Sequence, residues 1–220
     1  MESKFTGTIR KFRYGDRRDI RRICCETALM GQASSIFFED DEIFADALTL
    51  YFTDYEPESS FVAEAKGNVV GYLVGSKSIK TMEKIFLRRI FSPLLSKSLL
   101  RGTLIKKKNI SLFLGVLRSI IKREFRMPEF SKEYPATLHI NIDKDYRGRG
   151  FGSRLIADYL TYLQREGAIG VHFATISRKA SIFFAKEGFN LLYEGKRSYF
   201  KHVLREDVLI HIYGKKLNNV

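Results

Sequence analysis

Between Thr137 and Arg165 the chain spells out a strand, a glycine-rich turn and a helix, and this junction restricts the fold more than any other segment. Leu138, Ile140 and Ile142 alternate along the strand, and Phe151, Leu155, Tyr159 and Leu163 recur at every fourth residue of the helix. The turn between them is Arg147-Gly148-Arg149-Gly150-Phe151-Gly152-Ser153. Backbone N–H groups at the start of a helix, with no bulky side chains in front of them, form a cradle for an anion, and the helix dipole adds to it. Arg147, Arg149 and Arg154 place positive charge around that cradle. Two common phosphate loops are excluded by spacing. A Walker loop ends in Gly-Lys-Ser/Thr, whereas Gly152 precedes Ser153-Arg154; a dinucleotide fingerprint counted from Gly148 needs glycine at position 153 and finds Ser153.

The rest of the chain alternates strands with helices. Thr8 to Phe12 reads as a strand, and Asp16 after it as the cap of a helix to about Met30 with Ile20, Ile23, Cys24 and Thr27 on one face. A second helix is predicted from Glu39-Asp40-Asp41-Glu42 through Ala45, Leu48 and Phe52. Lys66-Gly67-Asn68 between two apolar runs signals a hairpin. After Arg165, strands are predicted at Val171–Thr175, Phe189–Tyr193 and Val208–Tyr213, with a helix over Ser177–Lys186 ending at Gly188. This is the α/β pattern, a mixed sheet with helices between strands.

Two linked segments carry a family resemblance. Arg147-Gly-Arg-Gly150-Phe-Gly152 resembles the [Gln/Arg]-x-x-Gly-x-[Gly/Ala] signature of the GNAT superfamily of acyl-CoA N-acyltransferases. Downstream, Ser177-Arg-Lys-Ala180-Ser-Ile-Phe183-Phe184 followed by Gly188-Phe189 is similar to that family's Asn-x-x-Ala-x-x-Phe-Tyr and Gly-Phe. The resemblance is loose over residues 8–76 and good over 134–214. It implies a GNAT-like mixed, splayed β-sheet flanked by helices, with acetyl-CoA as cosubstrate and no metal. It implies direct attack of a primary amine, on a small molecule or peptide, upon the thioester. Carried over, Arg147, Gly148, Arg149, Gly150, Phe151, Gly152 and Ser153 would hold the pyrophosphate. Ile140, Asn141 and Ile142 would line the pantetheine, with the Ile142 N–H stabilising the oxyanion, and Ser177 and Phe184 would complete the cofactor site. The family's usual tyrosine acid aligns with Phe184, which has no proton to give. Tyr193 and Tyr199 are the substitutes for it, unassisted thiolate departure is a second possibility, and a module that binds CoA with little turnover is a third. His139 and Asn141 share the strand face opposite Leu138 and Ile140. His139 is the candidate base, with Glu133 a weaker one, against packing of an ordinary core histidine. The acids at 39–42, with Asp46 and Asp54, either draw a cationic amine or simply favour the first turn of a solvated helix.

Charge is distributed unevenly. The 220 residues hold 38 Lys plus Arg against 25 Asp plus Glu, a net +13, yet residues 77–126 alone hold 14 basic residues and two acids. Compact relatives of the resembled family cross this interval in a few residues, so the reading is one domain over 1–220 with a basic amphipathic helical insertion at 77–130. Ser92-Pro93 reads as a helix start for a segment ending near Arg101-Gly102. From Ser111 to Phe125, Phe113, Val116, Leu117, Ile120 and Ile121 make an apolar stripe opposite Arg118, Lys122 and Arg123. Three roles stay open for it: packing on the domain or on a second copy in a homodimer, a lid over acceptor or cofactor, or attachment to a membrane surface or nucleic acid. Only Cys24 and Cys25 are present, adjacent, and the four histidines lack ligand spacing, so neither a disulfide framework nor a metal site is expected. Met1-Glu2-Ser3-Lys4 lacks the apolar stretch of a signal peptide, and the expected location is cytoplasmic.

Overall fold

The computed structural model describes residues 6–217; Met1 to Lys4 lie outside them. Seven strands are β1 (Thr8–Lys11), β2 (Phe61–Ala65), β3 (Asn68–Ser76), β4 (Thr137–Ile142), β5 (Gly170–Thr175), β6 (Asn190–Arg197) and β7 (Val208–Lys216). Eight α-helices are α1 (Arg17–Glu26), α2 (Asp41–Asp54), α3 (Ile79–Ile85), α4 (Phe91–Leu100), α5 (Lys107–Ile121), α6 (Phe151–Arg165), α7 (Arg178–Lys186) and α8 (Lys201–Leu204). β1-β2-β3-β4 form one antiparallel sheet and β5-β7-β6 a second. Among the described residues the two halves share one ladder contact, a parallel bridge between Ala136 and Val171. There Ala136 N–H donates to Gly170 O at 3.1 Å and His172 N–H to Ala136 O at 2.9 Å. Past that point β4 and β5 diverge, which is the splay the family resemblance implies.

Period-two alternation sets the layers. Phe61, Ala63 and Ala65 of β2 face a core with Phe151, Leu155 and Tyr159 of α6 and Phe184 of α7. Val62 of the same strand faces Ile20, Ile23 and Cys24 of α1 on the opposite side. The hairpin is made by Lys66 and Gly67, both at positive φ (51° and 77°), the geometry of the turn that matches strand twist. Burial pushes the thiols of Cys24 and Cys25 up, to about 11 and about 12, so both stay protonated.

Several helix boundaries differ from the sequence reading. α1 stops at Glu26, and the chain to Met30 turns back through a Leu29–Gln32 bridge. Asp16 does not cap α1 with its side chain: its carboxylate accepts from Arg13 N–H at 2.8 Å and from both terminal nitrogens of Arg10. Leu48 is exposed on α2. Ser92-Pro93 does not start a helix, because α3 continues through a π-helical turn at Phe86–Ile90 into α4. Pro93 is tolerated there since it falls in the first turn after the change of register, where a missing N–H costs least.

The largest departure concerns α5. Its buried side is polar and small. Asn109 and Ser119 are fully buried, and Gly115 lies against the backbone of Tyr199, where a Cβ would come within 2.5 Å of the carbonyl oxygen. Asn109 Oδ1 accepts from Glu39 N–H at 2.7 Å, while its Nδ2 donates to the carbonyls of Glu39 and Thr103 at 2.9 and 2.8 Å. Leu112 of α5 and Leu94 of α4 reach a third core around Leu29, Phe37, Phe38 and Ile43. Phe113, Leu117, Ile120 and Ile121, the apolar stripe of the sequence, face outward.

Candidate active site

The site is built where the sheet opens. Asp143 N–H donates to Val70 O at 2.9 Å, which with the β3–β4 register makes 143/70, 141/72, 139/74 and 137/76 the hydrogen-bonded pairs. The backbone groups of Leu138, Ile140 and Ile142 therefore point away from β3, toward the gap beside β5. The side chains of Ile140 and Ile142 pack on the α6 core, so these residues meet a ligand in the gap through their backbone alone.

At the end of β4 the chain makes a short 3-10 turn at Lys144–Tyr146 and enters the glycine-rich turn. Gly148 and Gly150 have φ of 73° and 84°, left-handed values that cost a side chain about 1–2 kcal/mol. Gly150 is the N-cap of α6, and the N–H groups of the first helical turn, which have no acceptor within the helix, open beside β4. Gly152 lies so close to Phe183 that an added Cβ would come within 3.0 Å of its ring. Phe151 is buried and packs edge-on against Tyr146. Arg147 Nε donates to Ile142 O at 2.9 Å, so that side chain folds back over the gap. Arg149 stacks over Tyr146, 5.1 Å from its centroid, and Ser153 Oγ donates to Glu187 at 2.5 Å. A glycine-opened helix start flanked by arginines and an unpaired strand edge fits a pyrophosphate followed by an amide-bearing arm. The residues present thus suit CoA.

On the opposite face of β4, Asn141 Nδ2 donates to Tyr72 Oη at 2.8 Å and to His139 Nε2 at 3.1 Å, which leaves the His139 proton on Nδ1. The His139 side chain faces open space in a recess, while the walls around it disfavour its charge and lower its pKa to about 4. The recess has a volume of about 560 Å³ and opens onto Thr137, Leu138 and His139. Leu48 and Phe52 of α2 line it, with Met82 and Glu83 of α3 and Phe86 and Leu87 of the π-helical turn. Beneath it the buried carboxylate of Glu56 accepts from Tyr51 Oη at 2.7 Å, Ser59 and Ser76 Oγ at 2.6 Å each, and Lys77 N–H at 2.8 Å.

The sequence-predicted residues divide accordingly. Ile140, Ile142 and the 147–153 turn come together at the gap, whereas Asn141, expected there too, pairs its backbone with Tyr72 of β3 and turns its side chain to the opposite face beside His139, which faces the recess. Ser177 caps α7, accepting from Ala180 N–H at 3.3 Å. Phe184 is 4% exposed among Phe173, Phe183, Phe189 and Tyr213, so its ring belongs to the core and not to a cofactor surface. Tyr193 is not brought to the site: β6 is the far strand of its sheet, and the hydroxyl donates to Arg126 O at 3.3 Å. Glu133 pairs with Lys216. The acids do not line the recess either. Asp40 binds Arg101, Asp46 binds Arg21 and Lys97, and Asp54 binds Arg17, so they anchor basic side chains. The lining residues Met82, Glu83, Phe86 and Leu87 carry no sequence signal, since the π-helical turn decides where they face.

Comparison with known proteins agrees with this geometry. Residues 102–189 match the model of the acetyltransferase (GNAT) family. The fold is similar to the crystal structure of SsHAT (TM-score 0.68, 22% identity, covering 97% of this chain and 99% of that one). It is also similar to a Drosophila melanogaster polyamine N-acetyltransferase that forms N-acetylagmatine (TM-score 0.61, 15% identity, 96% and 100% covered). A third similar structure is yncA, a putative acetyltransferase from Salmonella typhimurium with acetyl-CoA (TM-score 0.58, 12% identity, 98% and 96% covered).

Proposed function

We propose that this chain, which matches the acetyltransferase (GNAT) family model over residues 102–189, moves the acetyl group of acetyl-CoA to a primary amine carried on a largely apolar body. One observation carries the reading. β4 presents backbone groups that no other described strand pairs to a gap that ends at a glycine-opened helix start, and its other face forms the floor of an apolar recess.

When bound, acetyl-CoA supplies an acetyl thioester. The first-turn amides of α6, with Arg147, Arg149 and Arg154, would hold the phosphates. Ile140 and Ile142 would pair with the amide-bearing arm as an added strand does, and the Ile142 N–H would stabilise the developing oxyanion. Arg147 must release the Ile142 carbonyl for that pairing to form. The amine would enter from the recess and, once its ammonium form has lost one proton to solvent, its N–C bond would form as the C–S bond breaks; the nitrogen would then give its second proton to solvent and the sulfur would leave as the thiolate. A thiol titrates near 8.5, so departure without an acid is feasible, consistent with a phenylalanine at 184 and with Tyr193 engaged elsewhere.

His139 and Asn141 position the amine. With its charged form disfavoured by the recess walls, which lower its pKa to about 4, His139 is uncharged at neutral pH and does not repel a cation. Glu83 is the acid in the recess lining and draws the ammonium form inward. Phe52, Met82, Phe86 and Leu87 leave room for an apolar carrier in place of a second charge.

Titration calorimetry with acetyl-CoA, followed by thiol release with a panel of arylalkyl amines, alkyl amines and polyamines, tests this. Binding together with turnover fastest on the apolar amines is expected. Binding without release on any amine would make the chain a CoA-binding module, and absence of binding would overturn the loop assignment.

A further inference from the structure

From Lys84 to Arg123 the chain has eleven lysines and arginines and no aspartate or glutamate. Seven of those charges fall into two groups, while Lys106 and Lys122 pair with Asp40 and Glu124. Lys97 and Arg101 turn inward to Asp46 and Asp40 and fasten α4 to α2. Arg88, Arg89, Lys107, Arg118 and Arg123 are exposed and make no ion pair with any described residue.

Between these free cations lies apolar surface. On α5, Ile110, Phe113, Leu114, Leu117, Ile120 and Ile121 follow the i, i+3, i+4, i+7 spacing of one helix face, and all are exposed, Leu117 by 52% and Ile121 by 73%. Phe91, Leu95 and Leu99 repeat every four residues along α4, and are exposed as well. A surface helix ordinarily turns such a stripe to the core. α5 is instead held by its polar side, through Asn109 and Ser119, and by the close approach at Gly115. No helix among the described residues is long and apolar enough to cross a bilayer.

We propose that the α4–α5 face docks this protein on an anionic lipid bilayer, with the apolar stripes in the headgroup–acyl boundary and the free lysines and arginines on lipid phosphates. The charge identifies the occupant. A second copy in a two-fold dimer would set this acid-free segment against itself and bring like charges together. An anionic membrane offers both an apolar layer and the opposite charge, which is what an interfacial basic amphipathic helix requires. The proposal is independent of the acetyl-transfer reading.

The full chain is tested by flotation with phosphatidylcholine vesicles and with vesicles containing one-quarter phosphatidylglycerol, at low and at 0.15 M salt. Flotation with the anionic vesicles, weakened by salt and at least ~10-fold stronger than with neutral ones, is expected. The double substitution Leu117→Glu/Ile121→Glu, at exposed positions that leave the core intact, reduces it by at least ~10-fold. The sequence has no tryptophan, so Ile121→Trp gives a single fluorophore whose emission shifts blue on anionic vesicles. Absence of flotation at low salt would overturn the proposal, as would flotation unchanged in the double variant. A dimer in sedimentation velocity that Leu117→Glu dissociates would assign the face to a second copy.

Discussion

Asp40 accepts hydrogen bonds from Nε and Nη2 of Arg101, at 2.8 and 2.9 Å, which fastens the start of α2 to the end of α4 across sixty residues of sequence. The carboxylate also accepts from Thr103 Oγ1 at 2.5 Å and caps Ile43 N–H at 3.4 Å, and this set holds Asp40 at an unusual φ of 144°. Desolvation alone would raise its pKa. The hydrogen bonds from Arg101, Thr103 and Ile43 outweigh it and hold the group well below the usual carboxylate range.

Asp40→Asn therefore destabilises the fold by about 2 kcal/mol at pH 7, a modest value because Arg101 is half open to water. Since the folded pKa is depressed, this contribution is complete above about pH 4 and is lost as pH falls further. Urea melts of wild type and variant diverge at pH 7 and converge toward pH 2. A constant difference across that range would show that the charge is not what matters.

Gly150→Val forces a β-branched residue into φ 84° and covers the first amides of α6. Acetyl-CoA affinity falls by at least ~10-fold in calorimetry while the circular dichroism spectrum is retained. Unchanged affinity places the phosphates elsewhere.

The apolar walls of the recess disfavour the charged form of His139 and lower its pKa from the ordinary value to about 4. The unfolded chain then binds a proton between about pH 6.5 and 4 that the folded chain refuses, so this group removes stability as pH falls through that window. Histidine NMR shows one ring with a midpoint near 4, and His139→Gln leaves the pH–rate profile without a break lost between pH 5.5 and 8. A His139 midpoint near 6.5 would restore it as a general base.

Phe184→Tyr does not raise turnover, although the family's acid usually stands there. The ring is packed among four aromatic neighbours, and a hydroxyl without a partner costs about 1–3 kcal/mol. Increased thiol release in the variant would show that the ring reaches the reacting sulfur.

Gly115→Val is expected to be among the most damaging changes in α5, costing about 1–3 kcal/mol, because the Cβ meets the Tyr199 carbonyl with no flexible atom to yield. Thermal melts check it, with Leu114→Ala on the exposed face as the near-neutral control.

What could be read from the sequence was whatever a local rule enforces. Gly148 and Gly150 announce their turn because only glycine takes that backbone cheaply, and Lys66-Gly67 announces the hairpin for the same reason. Period-two patterning in β4 separated His139 and Asn141 from Ile140 and Ile142. Amphipathicity in α5 showed that one face is apolar but not which way it turns. Asn109 sets that direction by bonding to backbone groups that no spacing foretells. The acids at 39–46 were readable as charge, yet two of their partners, Lys97 and Arg101, sit more than fifty residues away in the basic segment. The recess depends on a π-helical turn, which has no sequence signature of its own.

Ala136 has a mechanical consequence. Among the described residues the two halves of the sheet are riveted at its bridge to Val171 and nowhere else in the ladder, so the sheet resembles a pair of jaws with a single pin. Whatever strand-like arm fills the mouth supplies the missing rungs, and the stiffness of the whole sheet becomes a property of the liganded protein, not of the chain alone.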